Sequence, residues 1–173
     1  RGEGAAHQVT ELPKWVHPRL RGYDYSRSGV YFLTLCTQNR LPILSEIVGR
    51  GIPDAPLVRL SETGRCVQDA MDYLAGHDAQ IQIAASVIMP NHVHILLCVC
   101  GEGNGASGMP RPTGMRVPGF VSSLKRYTNR VCGRPLWQAS YHDHIIRDEN
   151  DLLNHWSYIE HNPARWAEDE YHV

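Results

Sequence analysis

Residues 80–100, QIQIAASVIMPNHVHILLCVC, decide the fold of this chain. Two apolar runs, Gln80 to Met89 and His92 to Cys100, flank Pro90-Asn91, a dipeptide that interrupts regular structure and turns the chain. The segment reads as two neighbouring strands. Side chains two apart on a strand share a face, so Val93 and Ile95 point into the core while His92 and His94 project side by side from the opposite surface. Two imidazoles on a rigid strand make a two-point metal site that needs one or two further ligands and leaves other positions open to water or substrate.

Working outward, Val30 to Thr37 (VYFLTLCT) is β-branched and aromatic and reads as a strand. Gly49 to Pro56 reads as a loop. Leu60 to Leu74 carries Val67, Ala70, Met71 and Leu74 at helical spacing, with Ser61 or Thr63 as its cap. Gly101 to Pro118, with five Gly and three Pro, is expected to be a long mobile loop. Over Gly119 to Val131 the residues Phe120, Leu124, Tyr127 and Val131 form one helical stripe, which predicts Tyr127 in the core. Ser140 to Ile146 reads as a short strand. Asp148 then caps a helix over Glu149 to His161 that Asn162-Pro163 must end. The order β-α-β-β-α-β with a trailing helix is that of a ferredoxin-like (RRM-like) α+β domain. An antiparallel sheet is covered on one face by two helices, and the trailing helix lies over part of the other. One domain is expected over residues 1–173, with residues 1–20 as a flexible arm.

The chain's 173 residues, 42% hydrophobic and 20% charged with a net charge of −1, suit one globular domain and exclude a disordered or fibrous class. No stretch approaches the ~20 apolar residues of a bilayer helix, and the first thirty residues lack a signal-peptide core, so a soluble, cytoplasmic protein is expected. The first residue is Arg rather than Met, and Arg1 to Val9 carry no weight. Cys36, Cys66, Cys98, Cys100 and Cys132 are odd in number and form no CxxC pair, which fits a reducing compartment. Cys98 and Cys100 read as small apolar residues of one strand face. Charge is segregated along the chain. Residues 1–40 carry six Lys/Arg against three acids and 103–142 carry six against none, while 41–102 carry three against seven and 143–173 two against eight. Brought together, the basic segments would form a phosphate track, and kept apart they are solvated faces.

The last helix is the element expected to cross the His92/His94 face. Its apolar stripe is Leu152, Trp156 and Ile159, whereas His155, Tyr158 and Asn162 cluster on an adjacent flank. Tyr158 and Asn162, four apart, can address one metal-bound group. The alternative for Tyr158 is a packing tyrosine.

Several stretches together resemble the REP-associated tyrosine transposases, within the single-tyrosine HUH transposases and nucleases. They are Tyr23-Asp24-Tyr25-Ser26, Tyr31-Phe32-Leu33-Thr34, Met89-Pro90-Asn91-His92-Val93-His94, Ser123-Leu124-Lys125-Arg126-Tyr127, Trp137-Gln138, Asp143-His144-Ile145-Ile146-Arg147-Asp148, and Tyr158-Ile159 followed by Asn162-Pro163. The resemblance implies a metal-dependent strand transferase acting on single-stranded DNA, often at a hairpin formed by repeats. It maps His92 and His94 to metal ligands, Tyr158 to the nucleophile that forms a 5′-phosphotyrosine, and Asn162, where related subgroups carry Gln, to a third ligand. It implies Mg²⁺ or Mn²⁺, and monomers or a homodimer depending on subgroup. Lys125, Arg126 and Arg130 are expected to position DNA through phosphates. Arg147 and His144 on the last strand are expected to face substrate, with His144 a candidate proton carrier. Trp137 and Gln138 either contact an unpaired base or pack in the core. Any additional DNA-binding tail seen in relatives is expected to be missing or trimmed beyond Asn162-Pro163.

Two other readings stand beside this one. A small His-x-His metallohydrolase of the histidine-triad kind would need a third histidine at position 96, which is Leu. A non-catalytic nucleic-acid-binding module would keep the fold and lose the chemistry.

Overall fold

A computed structural model describes residues 29–49, 57–100 and 116–172. Strand β1 (Gly29–Cys36) leads into a hairpin of β2 (Ser45–Val48) and β3 (Leu57–Leu60), then helix α1 (Glu62–His77), strands β4 (Ile81–Ile88) and β5 (His92–Val99), and helix α2 (Arg116–Val131). Strand β6 (His142–Ile145), helix α3 (Glu149–His161) and a 3₁₀ segment, Pro163–Glu168, complete the described chain. The four long-range strands form one sheet in the order β4-β5-β1-β6, antiparallel at every pairing. This is the expected ferredoxin-like arrangement.

The period of two along each strand divides the apolar residues between two layers. Tyr31, Leu33 and Leu35 of β1 and Val93, Ile95 and Leu97 of β5 pack with Val67, Ala70 and Met71 of α1 and Val117, Phe120, Val121 and Leu124 of α2. On the reverse face Val30, Leu96 and Cys98 pack with Ile146 and with Leu152 and Ile159 of α3. The trailing helix therefore covers the face that carries His92 and His94. Register sets the neighbours of that pair: Thr34 lies opposite His94 on one side and His142 on the other, and Phe32 lies between Leu96 and His144.

Local chemistry explains most boundaries. Ser61 caps α1, accepting the Gly64 N–H, and donates to the carbonyls of Ile43 and Leu44. A Cβ on Gly64 would strike the Leu44 carbonyl oxygen, so only glycine lets the first turn of α1 sit against the segment before β2. Asp148 caps α3 through the Asp151 N–H as the sequence predicts.

Four expectations need correction. Leu60 ends β3 rather than starting the helix, because the β2–β3 hairpin precedes it. Helix α2 begins at Arg116, inside the expected loop, since proline is tolerated in a first helical turn and Pro118 stands there. Tyr127 and Val131 leave the buried stripe, and Val117, Val121 and Thr128 take their place; Tyr127 is 41% exposed. Cys100 lies past the end of β5 and is half-buried, unlike buried Cys98. The expected arm at residues 1–20, the Tyr23–Ser26 motif, residues 50–56 of the first loop and 101–115 of the second lie outside the described residues.

Candidate active site

The Pro90-Asn91 turn delivers His92 as the first residue of β5, and the pleat carries His94 to the same face. Their rings stand 4.5 Å apart, centre to centre, at 68°. Both are buried, and each is held by one nitrogen. His92 Nδ1 lies 2.9 Å from Asn91 Oδ1 and His94 Nδ1 lies 2.8 Å from Thr34 Oγ1. Asn91 donates its own amide N–H groups to the carbonyls of Arg40 and Tyr171, which leaves Oδ1 as the acceptor and fixes the His92 proton on Nδ1. The Nε2 lone pair of His92 is then free. Both Nε2 atoms are buried without a hydrogen-bond partner, as is Oδ1 of Asn162.

A buried polar atom left without a partner costs a few kcal/mol, and the two adjacent imidazole nitrogens are placed to be completed by a cation. Burial pushes the His92 imidazolium down to about pH 4, with Arg40 adding to the effect and Asp169 opposing it. His94 is likewise held neutral, by burial and then by the neighbouring His92 and His155. Neutral His92, with its proton on Nδ1 and Nε2 free, is in the state that ligates a metal, and His94 matches it when its Nδ1 donates to Thr34 Oγ1.

Helix α3 brings Tyr158 over this pair. Its ring centre is 5.1 Å from that of His94 and 6.0 Å from that of Phe32. Burial raises the phenol's pKa, Asp169 and Glu170 raise it further, and the Asn162 amide pulls it part of the way back. The phenolate therefore needs positive charge beside it. Two clefts meet at Tyr158. One, of about 340 Å³, is lined by Phe32, Thr34, His94, His155, Tyr158 and Tyr171 among others. The second, of about 570 Å³, runs past Ser157, Tyr158, His161, Asn162 and Arg165.

Sequence reasoning brought together His92, His94, Tyr158 and Asn162, and the fold places all four at one locus. It missed Asp169. The 3₁₀ segment turns the chain back after Pro163, so Asp169 accepts a hydrogen bond from Asn162 Nδ2 at 2.9 Å and joins His92 and His94 in a group whose ligand atoms lie within 4.8 Å of one another. Tyr171 was also missed. Its ring centre is 4.7 Å from that of His92 and 6.1 Å from that of His94, so with Trp166 and Tyr158 it is among the rings packed over the buried imidazoles. The Arg40 guanidinium stands over the Tyr171 ring and donates to the Glu170 carbonyl. Arg40 and Asn39 both have positive φ, a conformation that non-glycine residues adopt at a cost.

The expected phosphate contacts are not gathered here. Lys125 donates to the carbonyls of Gln138, Ala139 and Ser140 and clamps the connection into β6. Arg126 and Arg130 are exposed on α2, in the layer across the sheet from the histidines. Arg147 is exposed beside the N-terminus of α3, while His144 contacts Asp151. Trp137 is buried and donates to Thr128 Oγ1, which settles it as a core residue.

No family model matches the chain. It is 28% identical over 172 residues to a Haemophilus influenzae protein without an assigned function, covering 90% of this chain and 91% of that one. It is 22% identical over 154 residues to a second protein of the same organism, provisionally named a REP-associated tyrosine transposase, covering 82% of this chain and 74% of that one. In structure it is similar to a REP-associated tyrosine transposase solved bound to a REP hairpin, with TM-score 0.57 and 18% identity over 91% of this chain and 74% of the other. The resemblance read from the motifs thus holds in sequence and in fold.

Proposed function

We propose that this chain is a transposase-like enzyme that cuts and rejoins single-stranded DNA beside hairpins, with a divalent cation at His92 and His94 and Tyr158 as nucleophile. The observation that carries this reading is that His92, His94 and Asp169 offer ligand atoms within 4.8 Å of one another beside Tyr158, with Nε2 of both imidazoles buried and without a partner. Those residues fit a metal. When bound, a divalent ion such as Mg²⁺ or Mn²⁺ polarises the scissile phosphate and offsets its charge. The phenol oxygen of Tyr158 attacks phosphorus in line, the bond to the 3′-oxygen breaks, and a 5′-phosphotyrosine and a free 3′-hydroxyl result. The phenol gives up its proton and the departing oxygen gains one. Bond energy is conserved in the adduct, so rejoining needs no nucleotide cofactor. Of the basic residues expected to meet DNA, Arg147 is exposed beside the start of the helix that carries Tyr158, and it is assigned to DNA phosphate. Arg126 and Arg130 would serve DNA that passes behind the sheet.

Access is a requirement of this reading. Tyr171 and Glu170 line the smaller cleft with His94, and because both imidazoles are almost wholly buried this reading requires that segment to move for a polynucleotide to reach them. The sealed pair favours, as a second reading, a module that binds nucleic acid without cutting it. The histidine-triad reading loses ground, because Leu96 is buried among apolar side chains and supplies no nucleophile. Five free cysteines suit a reducing, cytoplasmic setting. Among the described residues no helix is long and apolar enough to cross a membrane.

The test is incubation of the full chain with labelled single-stranded hairpin DNA and Mn²⁺, read on a denaturing gel. An SDS-resistant adduct is expected, lost in Tyr158→Phe and on chelation. Absence of any adduct across a broad oligonucleotide set overturns the enzyme reading, and a Tyr158→Phe variant indistinguishable from the parent in every assay supports the binding module.

A further inference from the structure

A second group of ligands lies on the same face, on the far side of Phe32. His144 Nε2 is 2.9 Å and 3.1 Å from the two carboxylate oxygens of Asp151. His155 Nδ1 is 2.8 Å from the Asp151 carbonyl and 3.1 Å from its Oδ1. The two imidazoles are stacked, 4.7 Å apart at 19°, so both present a nitrogen to one carboxylate. Ligand atoms from all three residues lie within 4.8 Å of one another. We propose that His144, Asp151 and His155 form a second divalent-cation site, separate from His92 and His94, that takes a transition metal of the Zn²⁺ type.

Three features support this. Asp151 and His155 are four apart on α3, the spacing that puts two ligands on one helical face, and His144 approaches them from β6. Each residue is half-buried, so an ion has both a partly dry site and a path of entry. The donor set is two imidazoles and one carboxylate, which suits Zn²⁺, Co²⁺ or Ni²⁺ and not Mg²⁺. The Asp151 carboxylate, already held as the anion by His144 and by the Arg147 N–H, supplies the charge. Neutral rings bind through a tautomer shift: His144 moves its proton to Nδ1 and His155 to Nε2, with no net release. Phe32 keeps the two sites apart, its ring centre 4.6 Å from that of His155 and 5.0 Å from that of His94. An ion here would join β6 to α3 and so fasten the helix that carries Tyr158.

The probe is the metal alone, on the full chain carrying His92→Ala and His94→Ala to remove the first site. One equivalent of Co²⁺ or Zn²⁺ should still bind, seen by calorimetry and by cobalt absorption in the visible, and excess Mg²⁺ should not compete. Saturating Zn²⁺ should raise the melting temperature by roughly 5–10 °C at about a hundred-fold excess over Kd. Asp151→Asn or His144→Gln added to that chain should weaken binding at least about ten-fold. No binding by the double variant overturns the proposal, and so does binding that neither added substitution weakens. Because buried-histidine variants can misfold, the parent chain is also followed by imidazole ¹⁵N resonance. Zn²⁺ should shift His144 Nε2 and His155 Nδ1 in addition to any change at His92 and His94, and shifts confined to the latter pair overturn the assignment. None of these readouts uses DNA, so the result stands whether or not the chain cuts it.

Discussion

The two histidine groups flank one phenylalanine ring and bury their nitrogens in opposite ways. At His92 and His94 each Nδ1 is engaged and each Nε2 is sealed without a partner. At His144 and His155 one carboxylate satisfies a nitrogen of each ring, and both rings keep some contact with solvent. A polar atom left unpaired in a dry place destabilises the fold and persists where something outside the chain completes it. A satisfied cluster stabilises the empty protein and binds an ion only by exchanging hydrogen bonds for coordination. On the proposed reading the first group serves chemistry, and the second is a fastening between sheet and helix.

The sharpest way to break this contrast is to remove one member of each group. His92→Ala or His94→Ala should lower the rate of adduct formation on single-stranded hairpin DNA by roughly 10³-fold, the scale of several kcal/mol of lost charge stabilisation at phosphorus. Asp151→Asn should lower it less than about ten-fold, through looser docking of α3. Single-turnover kinetics with Mn²⁺ separate the two outcomes. Equal losses would mean that both groups belong to one catalytic unit.

How far the sequence discloses these two groups differs for a physical reason. His92 and His94 are legible because a strand's alternation is rigid and local, so spacing alone assigns them a common face. Tyr158 and Asn162 are legible because helical phase is equally local. The sheet order follows from the order of elements. Asp169 and Tyr171 are not legible, since a 3₁₀ turn after Pro163 carries no periodic signal and only the folded chain shows where it leads. The His144–Asp151–His155 group is half legible: the motif marks His144 and the helical flank marks His155, but their meeting at Asp151 depends on how α3 lies on β6. Tyr127 misled because its neighbour Thr128, a polar residue that no hydrophobic stripe marks, takes the buried position and accepts from Trp137, which turns Tyr127 and Val131 to solvent. Lys125 misled because a cation in a basic segment reads the same whether it meets phosphate or, as here, three carbonyls.

Acid should distinguish the groups next. In the metal-free chain His92 is neutral down to about pH 4, against 6.5 for an exposed imidazole. The unfolded chain therefore takes up a proton first as the pH falls. Stability is flat above pH 6.5, declines between 6.5 and about 4, and levels off below, with a total loss on the order of 3 kcal/mol from this residue. Asp151 acts in the same direction but lower on the scale, because burial, which raises its pKa, is outweighed by the hydrogen bonds from His144 and the Arg147 N–H, which depress it below 3.8. Its contribution is intact above pH 3.8 and is lost only as the pH falls through its folded value. Urea unfolding from pH 7 to 4 should show the decline, and His92→Gln should make it shallower, with His94, also held neutral by burial, keeping the rest. A profile unchanged by that substitution would mean the imidazole is solvated in the native protein.

The smallest effect belongs to the fastening itself. Asp151→Asn keeps an oxygen for the Arg147 N–H and leaves the backbone N–H bound to Asp148, so the start of α3 survives. What goes is the negative charge shared by two imidazoles and favoured in the first turn of a helix. Partly exposed pairs of this kind contribute about 1 kcal/mol, since water competes for both partners. The urea midpoint at pH 7 should fall by that amount with an unchanged slope, because the surface exposed on unfolding stays the same. A loss three times larger would place Asp151 at the centre of a dry network, and the two histidine groups would then be alike in burial and differ only in what satisfies them.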